Sequence, residues 1–514
     1  MSSDLPADPD ALRALAASLR AELKARDLII EQLKAQLAAL RRARFGRSSE
    51  KLEREIEQLE LVLGDLEEGQ GARAERAGQR PPPEPLERPR RAPLPPHLPR
   101  ETVRHEPAAA CPACGGTRFS CISQDEREVL EYVPAHFKVV VHVRPKFSCR
   151  TCETIRQAPM PALPIERGLA GPGLLAHVAV SKYADHLPLY RQSEIFERGG
   201  VDLDRSTLAG WIGQLGVILE PLAEAIGAHA RAGAAIHADD TPVPVLDPGR
   251  GKTKTGRLWA LVRDERPWTG PAPPAAYYLY SPDRRGEHAE RLLASCRGFL
   301  HADGYAGFNT LYALQPESGV PRLTEVACWA HARRKLYEVH QATGSAAAQE
   351  ALERIGELFA IEAQINGRPP EVRLAQRQAR TVPLLGELEA FLDRTLAGVS
   401  RKSSLAGAIR YATSRWQALA RFTTDGRLEM TNNAAERAIR PLALGRKNYL
   451  FAGSDAGGRR AAILYTLIGT AKLNGLDPQA WLTDAIARIA DHPASRIDEL
   501  LPWNWAADDH RRAA

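Results

Sequence analysis

Two cysteine pairs, Cys111-Pro-Ala-Cys114 and Cys149-Arg-Thr-Cys152, set the tightest limit on what this chain can fold into. A Cys-x-x-Cys knuckle turns two thiolates toward one ion, and two knuckles complete the tetrahedral set that Zn2+ prefers. The 35 residues from Cys114 to Cys149 must then run out and back as short strands. Gly115 and Gly116 after the first pair and Phe147 before the second suit a zinc ribbon, in which the ion adds folding energy and keeps no open catalytic position. Five of the seven cysteines fall between Cys111 and Cys152, a clustering that suits a metal and not a disulfide framework, with Cys121 as the spare thiol.

A ribbon of that size is a small part of 514 residues, so further domains must follow. An apolar fraction of 44% supplies material for their cores. The longest charge-free stretch, Pro267 to Pro282, contains five prolines and is shorter than the roughly 20 apolar residues of a membrane helix, so no membrane association is expected. The opening Met1-Ser-Ser-Asp-Leu-Pro-Ala-Asp lacks the basic and apolar regions of a secretory signal, which makes the cytoplasm the expected compartment. With a net charge of only +6, any contact with nucleic acid must come from local patches.

Residues 1–70 read as an N-terminal helical coiled coil, because Leu19, Leu33 and Leu40 share one seven-residue register and Leu23, Ile30 and Leu37 another. Arg26 interrupts the first register, and a helix docked on its own domain fits the same pattern. Arg41, Arg42, Arg44 and Arg47 follow at once, suited to DNA phosphates or to a solvated face. Residues 71–104 read as a linker, with nine prolines and seven arginines between Gly71 and Arg100. The zinc-binding ribbon covers 105–159, and 160–222 reads as a helix-turn-helix-like DNA-binding segment whose last helix, Ser206 to Leu219, takes Ser206 as N-cap.

Residues 223–460 change character. Ala234 to Val245, Arg257 to Val262 and Ala275 to Tyr280 read as three successive strands; a helix over Arg284 to Cys296, strands at Gly298 to Ala302 and Leu323 to Cys328, and a helix from Trp329 to about His340 follow. That order is the order of a ribonuclease H-like domain, here with a helical insertion over about 342–424. Residues 461–514 form a C-terminal helical segment with breaks at Asn474-Gly475 and Asp477-Pro478. The expected fold class is multidomain α/β: a ribonuclease H-like mixed-sheet core with a helical insertion, preceded by coiled coil, zinc ribbon and helix-turn-helix.

Acids stand at the strand ends of this core. Asp239 and Asp240 lie on its first strand and Asp303 ends its fourth. Those strands are neighbours in such a domain, so a carboxylate on each can hold hard cations and leave positions open for phosphate and water. Glu436 falls on a helix with Asn432 or Asn433 as N-cap, and Arg440 follows one turn later on the same face, aiming a metal ligand and a phosphate-binding guanidinium together. Each acid alone also has a structural reading, since Asp-Gly marks turns and a helical Glu beside Arg is commonplace. Cys328-x-x-His331 has half the donors of a zinc site, with no second pair after it, and reads as structural. Arg333, Arg334, Arg446 and Lys447 suit DNA or solvent.

His237-Ala-Asp-Asp-Thr-Pro-Val243, His301-Ala-Asp-Gly-Tyr-Ala-Gly307, Cys328-Trp-Ala-His-Ala-Arg-Arg334 and Asn432-Asn-Ala-Ala-Glu-Arg-Ala-Ile-Arg440 resemble motifs of the insertion sequence sixty-six family of transposases. The likeness covers nearly the whole chain, with the basic segment ending at Lys51, the two knuckles, the core and the helical C-terminal segment in the family's order. It implies a DDE transposase with Asp239, Asp303 and Glu436 as catalytic residues and ligands of Mg2+ or Mn2+. The acids are 64 and 133 residues apart, and the longer gap accommodates the helical insertion. The family commonly has Glu after the first Asp, where this chain has Asp240, which leaves open whether Asp239 or Asp240 faces the metal. The resemblance further implies binding of the element's terminal inverted repeats, strand cleavage, strand transfer into target DNA, and small accessory proteins of the same element; the coiled coil adds a homo-oligomer. Two competing readings differ in the acids: a DNA-binding regulator needs none of them, and a nuclease that never joins ends shares all three.

Overall fold

The computed structural model describes residues 94–505 except 97, 107–113, 115, 116, 118, 134, 135, 167, 248–251, 316–318, 446, 447 and 449–451. The coiled-coil segment, Arg41, Arg42, Arg44, Arg47, Cys111, Arg446 and Lys447 therefore lie outside the described residues.

The first of two mixed sheets is built on a hairpin of β2 (Phe119–Val133) and β3 (His136–Cys149), with β1 (Arg100–Arg104) parallel to β3 and β4 (Ile155–Gln157) antiparallel to its end. Alternation along β3 turns Phe137, Val139, Val141 and Val143 inward, which fixes its register. The hairpin strands, 15 and 14 residues long, are not the short strands expected of a ribbon, and β1 uses residues expected to belong to the linker.

Four helices follow: α1 (Pro172–Tyr183), α2 (Leu189–Arg198), α3 (Arg205–Ile218) and α4 (Glu220–Arg231). The cap of α3 is Asp204 and not Ser206: the aspartate side chain accepts the Ser206 N–H at 2.7 Å, which places Ser206 inside the first turn. Most of α3 is buried, with Ser206, Gly210, Gln214 and Ile218 forming one partly exposed stripe, and α2 shows more of its side chains to solvent.

The second sheet contains β5 (Ala235–Asp247), β6 (Lys252–Arg263), β7 (Ala275–Ser281), β8 (Gly298–Ala302) and β9 (Leu323–Ala327) in the order β7-β6-β5-β8-β9. Pairing is antiparallel from β7 to β5 and parallel from β5 to β9, so the first and fourth strands lie side by side. Between them α5 (Gly286–Leu292) is shorter than the helix expected from Arg284 to Cys296. α6 (Trp329–Thr343) leads into the insertion: α7 (Ala346–Ile365), α8 (Pro370–Gln376), α9 (Val382–Gly398), α10 (Ser404–Thr413) and α11 (Trp416–Ala420). Its break at Gly367 has a physical reason, a φ of +72° that suits glycine, with the N–H donated to Pro267 O at 2.7 Å. Leu336, Ile355, Leu388, Ile409 and Phe422 give these helices a core of their own, which takes in Val326 and Ala327 of β9. The chain returns through α12 (Asn433–Gly445), α13 (Asp455–Leu473) and α14 (Pro478–Ile489). Capped by Ser454, α13 begins inside the range expected for the core domain, and it packs on β7.

Both margins of the second sheet are covered. On β7, the outward N–H groups of Ala276 and Tyr278 donate to the hydroxyls of Thr470 and Thr466, 3.2 and 2.9 Å away on successive turns of α13. α4 lies against the same strand so closely that a Cβ on Gly227 would come within 2.7 Å of the Tyr277 ring. At the other margin α11 packs on β9, and Arg421 donates to the Glu325 carbonyl. Among the described residues no helix is long and apolar enough to cross a membrane.

Candidate active site and metal centre

Asp239 projects from β5 with Oδ1 accepting the Asp240 N–H at 2.8 Å, and no cation pairs with it among the described residues. Burial, together with the charges of Asp303, Asp240 and Glu436, pushes its pKa up to about 7, a value that shows the three other acids to be within electrostatic reach. Strand alternation sends Asp240 to the opposite face, where Arg257 at 2.9 Å and Arg284 at 2.7 Å neutralise a side chain only 3% exposed. Of the two adjacent aspartates, Asp239 is thus the one without a cation partner among the described residues, and Asp303 and Glu436 both act on its charge.

Asp303 follows β8 in a turn that needs Gly304 at φ +85°. Its Oδ1 accepts the Tyr305 N–H at 3.0 Å, and the turn is pinned from the insertion: Tyr411 donates its O–H to Asp303 O at 3.2 Å, and Arg415 donates to Gly304 O at 3.0 Å and pairs with Glu325 at 2.7 Å. Glu436 lies in the first turn of α12. Asn432 occupies the cap position, its carbonyl accepting the Glu436 N–H at 3.2 Å, while its side chain donates to Ala238 O at 2.9 Å and so ties the helix to β5 beside Asp239. The Cys328 thiol accepts the Asn432 N–H at 3.2 Å, and His331 Nδ1 lies 3.6 Å from Glu436 Oε1. The half zinc set read from sequence thus gains Glu436 as a third donor, with ligand atoms within 4.8 Å of one another.

Beneath the acids, His237 and His301 stack with ring centroids 4.1 Å apart. Burial drives His237 down to about 4 and His301 well below its ordinary value, so both rings are neutral. His301 Nε2 accepts the Glu429 N–H at 3.0 Å, tying β8 to the segment before α12. That segment is clamped by Arg377, fully buried, which donates to Phe422 O, Asp425 O and Leu428 O at 2.8, 3.1 and 2.8 Å and pairs with Glu362 at 2.6 Å. The insertion therefore holds the approach to α12 as well as the Asp303 turn. Arg333, Arg334 and Arg440 are exposed.

The second centre closes the first sheet. Cys114 Sγ lies 3.8 Å from Cys149 Sγ, and with Cys152 these thiols form a group whose ligand atoms all lie within 4.8 Å. Glu153, at φ 60°, ends the knuckle. The backbone N–H groups of Cys152 and Thr151 hold the Cys149 thiol below its ordinary pKa, which favours the thiolate a metal requires. A three-sulfur set of this kind fits Zn2+.

The description "Transposase IS66 family" matches residues 167–460, well over half of the chain. The chain belongs to that family. Other parts of this transposase match the IS66 C-terminal element (466–503), the zinc-finger binding domain of transposase IS66 (109–153) and "Transposase C of IS166 homeodomain" (32–103). Two relatives from Sinorhizobium fredii (strain NBRC 101917 / NGR234) bear the names uncharacterized protein y4hP, 44% identical over 93% of this chain and 89% of its own, and uncharacterized protein y4qI, 39% identical over 98% of each.

The acids of the transposase were legible in motifs, but the groups that hold them were not. Tyr411 and Arg415 act on Asp303 and Gly304 from more than 100 residues away, and no local pattern marks them. A signal did exist for His331, since Cys328 and His331 are spaced to share a helix face.

Proposed function

We propose that this transposase is a DDE enzyme that binds the terminal inverted repeats of its element, cleaves the strand at each end and transfers it into target DNA. The observation that carries the reading is Asp239: an unpaired, partly buried carboxylate kept beside two more acids, while its neighbour Asp240 is neutralised by two arginines. Cations are the natural counterpart of such a cluster. Mg2+ or Mn2+ held by Asp239, Asp303 and Glu436 would supply Lewis acidity toward the scissile phosphodiester. The chain's own residues do the rest: Arg257 and Arg284 keep Asp240 out of the site, Asn432 and Cys328 fix α12, and the neutral His237 and His301 pair adds no positive charge to compete with the ions.

The strand order β7-β6-β5-β8-β9, with its antiparallel and parallel halves, supports a ribonuclease H-like core. Structural Zn2+ at Cys114, Cys149 and Cys152, with Cys111 as the fourth ligand, would fold the sheet that meets element-end DNA. Exposed Arg333, Arg334 and Arg440, with the arginines at 41, 42, 44 and 47 and Arg446 and Lys447, would contact phosphate, and residues 1–70 would pair subunits, with accessory proteins of the same element at hand. The working location is the cytoplasm, on the nucleoid.

The test is mobilisation in cells of a marker flanked by the DNA on either side of the gene. Wild type should generate new insertions and Glu436→Gln none above background, with end binding retained; insertion at the wild-type rate by the variant would sink the assignment of the acids. Cut ends that are never joined would instead identify a nuclease.

A further inference from the structure

Beside the acidic centre, α6 and α10 enclose an open groove of about 810 Å3. Lys335 and Ala342 line it from α6, and Ser404, Gly407, Arg410 and Tyr411 from α10. Two of its lining residues lead back to the acids. Lys335 lies one helical turn beyond His331, which is 3.6 Å from Glu436, and Tyr411 donates its O–H to Asp303 O at 3.2 Å. The Lys335 ammonium stands 4.7 Å from the centre of the Tyr411 ring, and Arg410 bonds to the Arg401 carbonyl. Neither Lys335 nor Arg410 forms an ion pair among the described residues, and Glu338 is the one acid in the lining. Cations over a floor of small residues, with an aromatic ring in the wall, match the chemistry by which proteins track a single nucleic-acid strand.

The groove also has a side. Helices α4 and α13 lie against β7, at one margin of the second sheet, and α1 and α3 pack on α13. Helix α11, which leads on from α10, lies against β9 at the other margin. The segment expected to hold the element end and the groove thus stand on opposite sides of Asp239 and Asp303, and a strand held by both passes the acids between them.

We propose that the groove receives the DNA strand that flanks the element, on the side of the scissile phosphate away from the element end; this rests on the transposase reading above. A Cβ on Gly407 would meet nothing within 4 Å, so Gly407→Glu sets an acid in the groove without disturbing the fold, and Gly407→Lys places similar bulk of opposite charge. The full chain would be titrated with two labelled DNAs, one ending flush at the element terminus and one continuing into flanking sequence, and joining of the flush end to a plasmid would be scored in parallel.

Wild type should bind the flank-bearing DNA the more tightly. Gly407→Glu should lose that preference by about tenfold and cut the flank-bearing DNA more slowly, Gly407→Lys should keep both properties, and flush-end binding serves as the internal reference. Three results overturn the proposal: an unchanged preference in Gly407→Glu, equal loss in both variants, which would mean bulk alone, or loss of plasmid joining with the flank preference intact, which would make target DNA the occupant. Wild type that binds neither DNA would defeat the transposase reading itself, and the proposal with it.

Discussion

Cys149 and Cys152 meet through one turn at the end of β3, whereas Asp239, Asp303 and Glu436 meet only after β5, β8 and α12 have assembled and Arg377, Arg415 and Tyr411 of the insertion have locked their approaches. The cysteine centre is local, and its thiolates hold together only while a cation offsets their charge. The acidic centre is held by distant packing, and its cost to the fold is expressed in the raised pKa of Asp239, which burial causes first and the neighbouring carboxylates second. The two centres should therefore respond to metal in opposite ways: one loses its structure without the ion, and the other keeps its structure and loses only function.

Chelation is the sharpest way to break this contrast. Stripping the protein of metal, or Cys149→Ser, should abolish hydrogen-exchange protection in β2 and β3, a loss on the order of 10 kcal/mol of metal-linked folding energy, while β5 and β8 stay protected. Equal loss in both sheets would show that the centres are not separable. Next in size is Arg377→Leu. It leaves the Phe422 and Asp425 carbonyls without the guanidinium, leaves Glu362 and Leu428 O with Arg373 alone, and should cost about 3–5 kcal/mol of stability, with a fall in cleavage rate, because the segment before α12 loosens. A variant as stable and active as wild type would remove the insertion from the positioning of Glu436.

The pH dependence separates two opposing contributions within the acidic centre. His237, lowered to about 4 from 6.5, binds more protons when unfolded, so its share of stability is complete above 6.5 and is lost as pH falls toward 4. Asp239, raised to about 7 from 3.8, binds more protons when folded, so stability declines as pH rises between those values. In metal-free wild type the two slopes oppose one another. In Asp239→Asn the opposing acid slope is gone, and the unfolding free energy read from urea titrations should climb by roughly 3 kcal/mol from pH 4 to 6.5 through His237, with His301 adding to the climb. At pH 8 the same variant, inactive in cleavage, should be more stable than metal-free wild type, the shift from 3.8 to about 7 corresponding to roughly 4 kcal/mol. A destabilised Asp239→Asn would mean that the carboxylate supports the fold and is not held there at a cost.

Legibility in the sequence follows the same local and distant divide. The strands at Ala235, Arg257 and Ala275 were readable from β-branched and aromatic stretches, and the knuckles from spacing alone. Asp239, Asp303 and Glu436 were readable as motifs, but the pairing of Asp240 with Arg257 and Arg284 was not. The cap at Asp204 was displaced to Ser206 because both residues favour that position and only the hydrogen bond decides between them. Apolar periodicity located α3, yet it could not show how much of that helix its neighbours bury. Arg377, Arg415 and Tyr411 were illegible, since the backbone groups they bond lie 45 to 111 residues away in the chain.

The two threonines that satisfy β7, and the helix laid along β9, have a consequence for how copies of this chain associate. With two N–H groups of β7 bonded to helix threonines and the Glu325 carbonyl of β9 bonded to Arg421, neither margin presents an uninterrupted ladder to a second strand, which disfavours β-augmentation. Oligomers of this transposase are then joined more readily through other surfaces, and crowding many copies onto one stretch of DNA does not bring uninterrupted edges of this sheet together to seed aggregation.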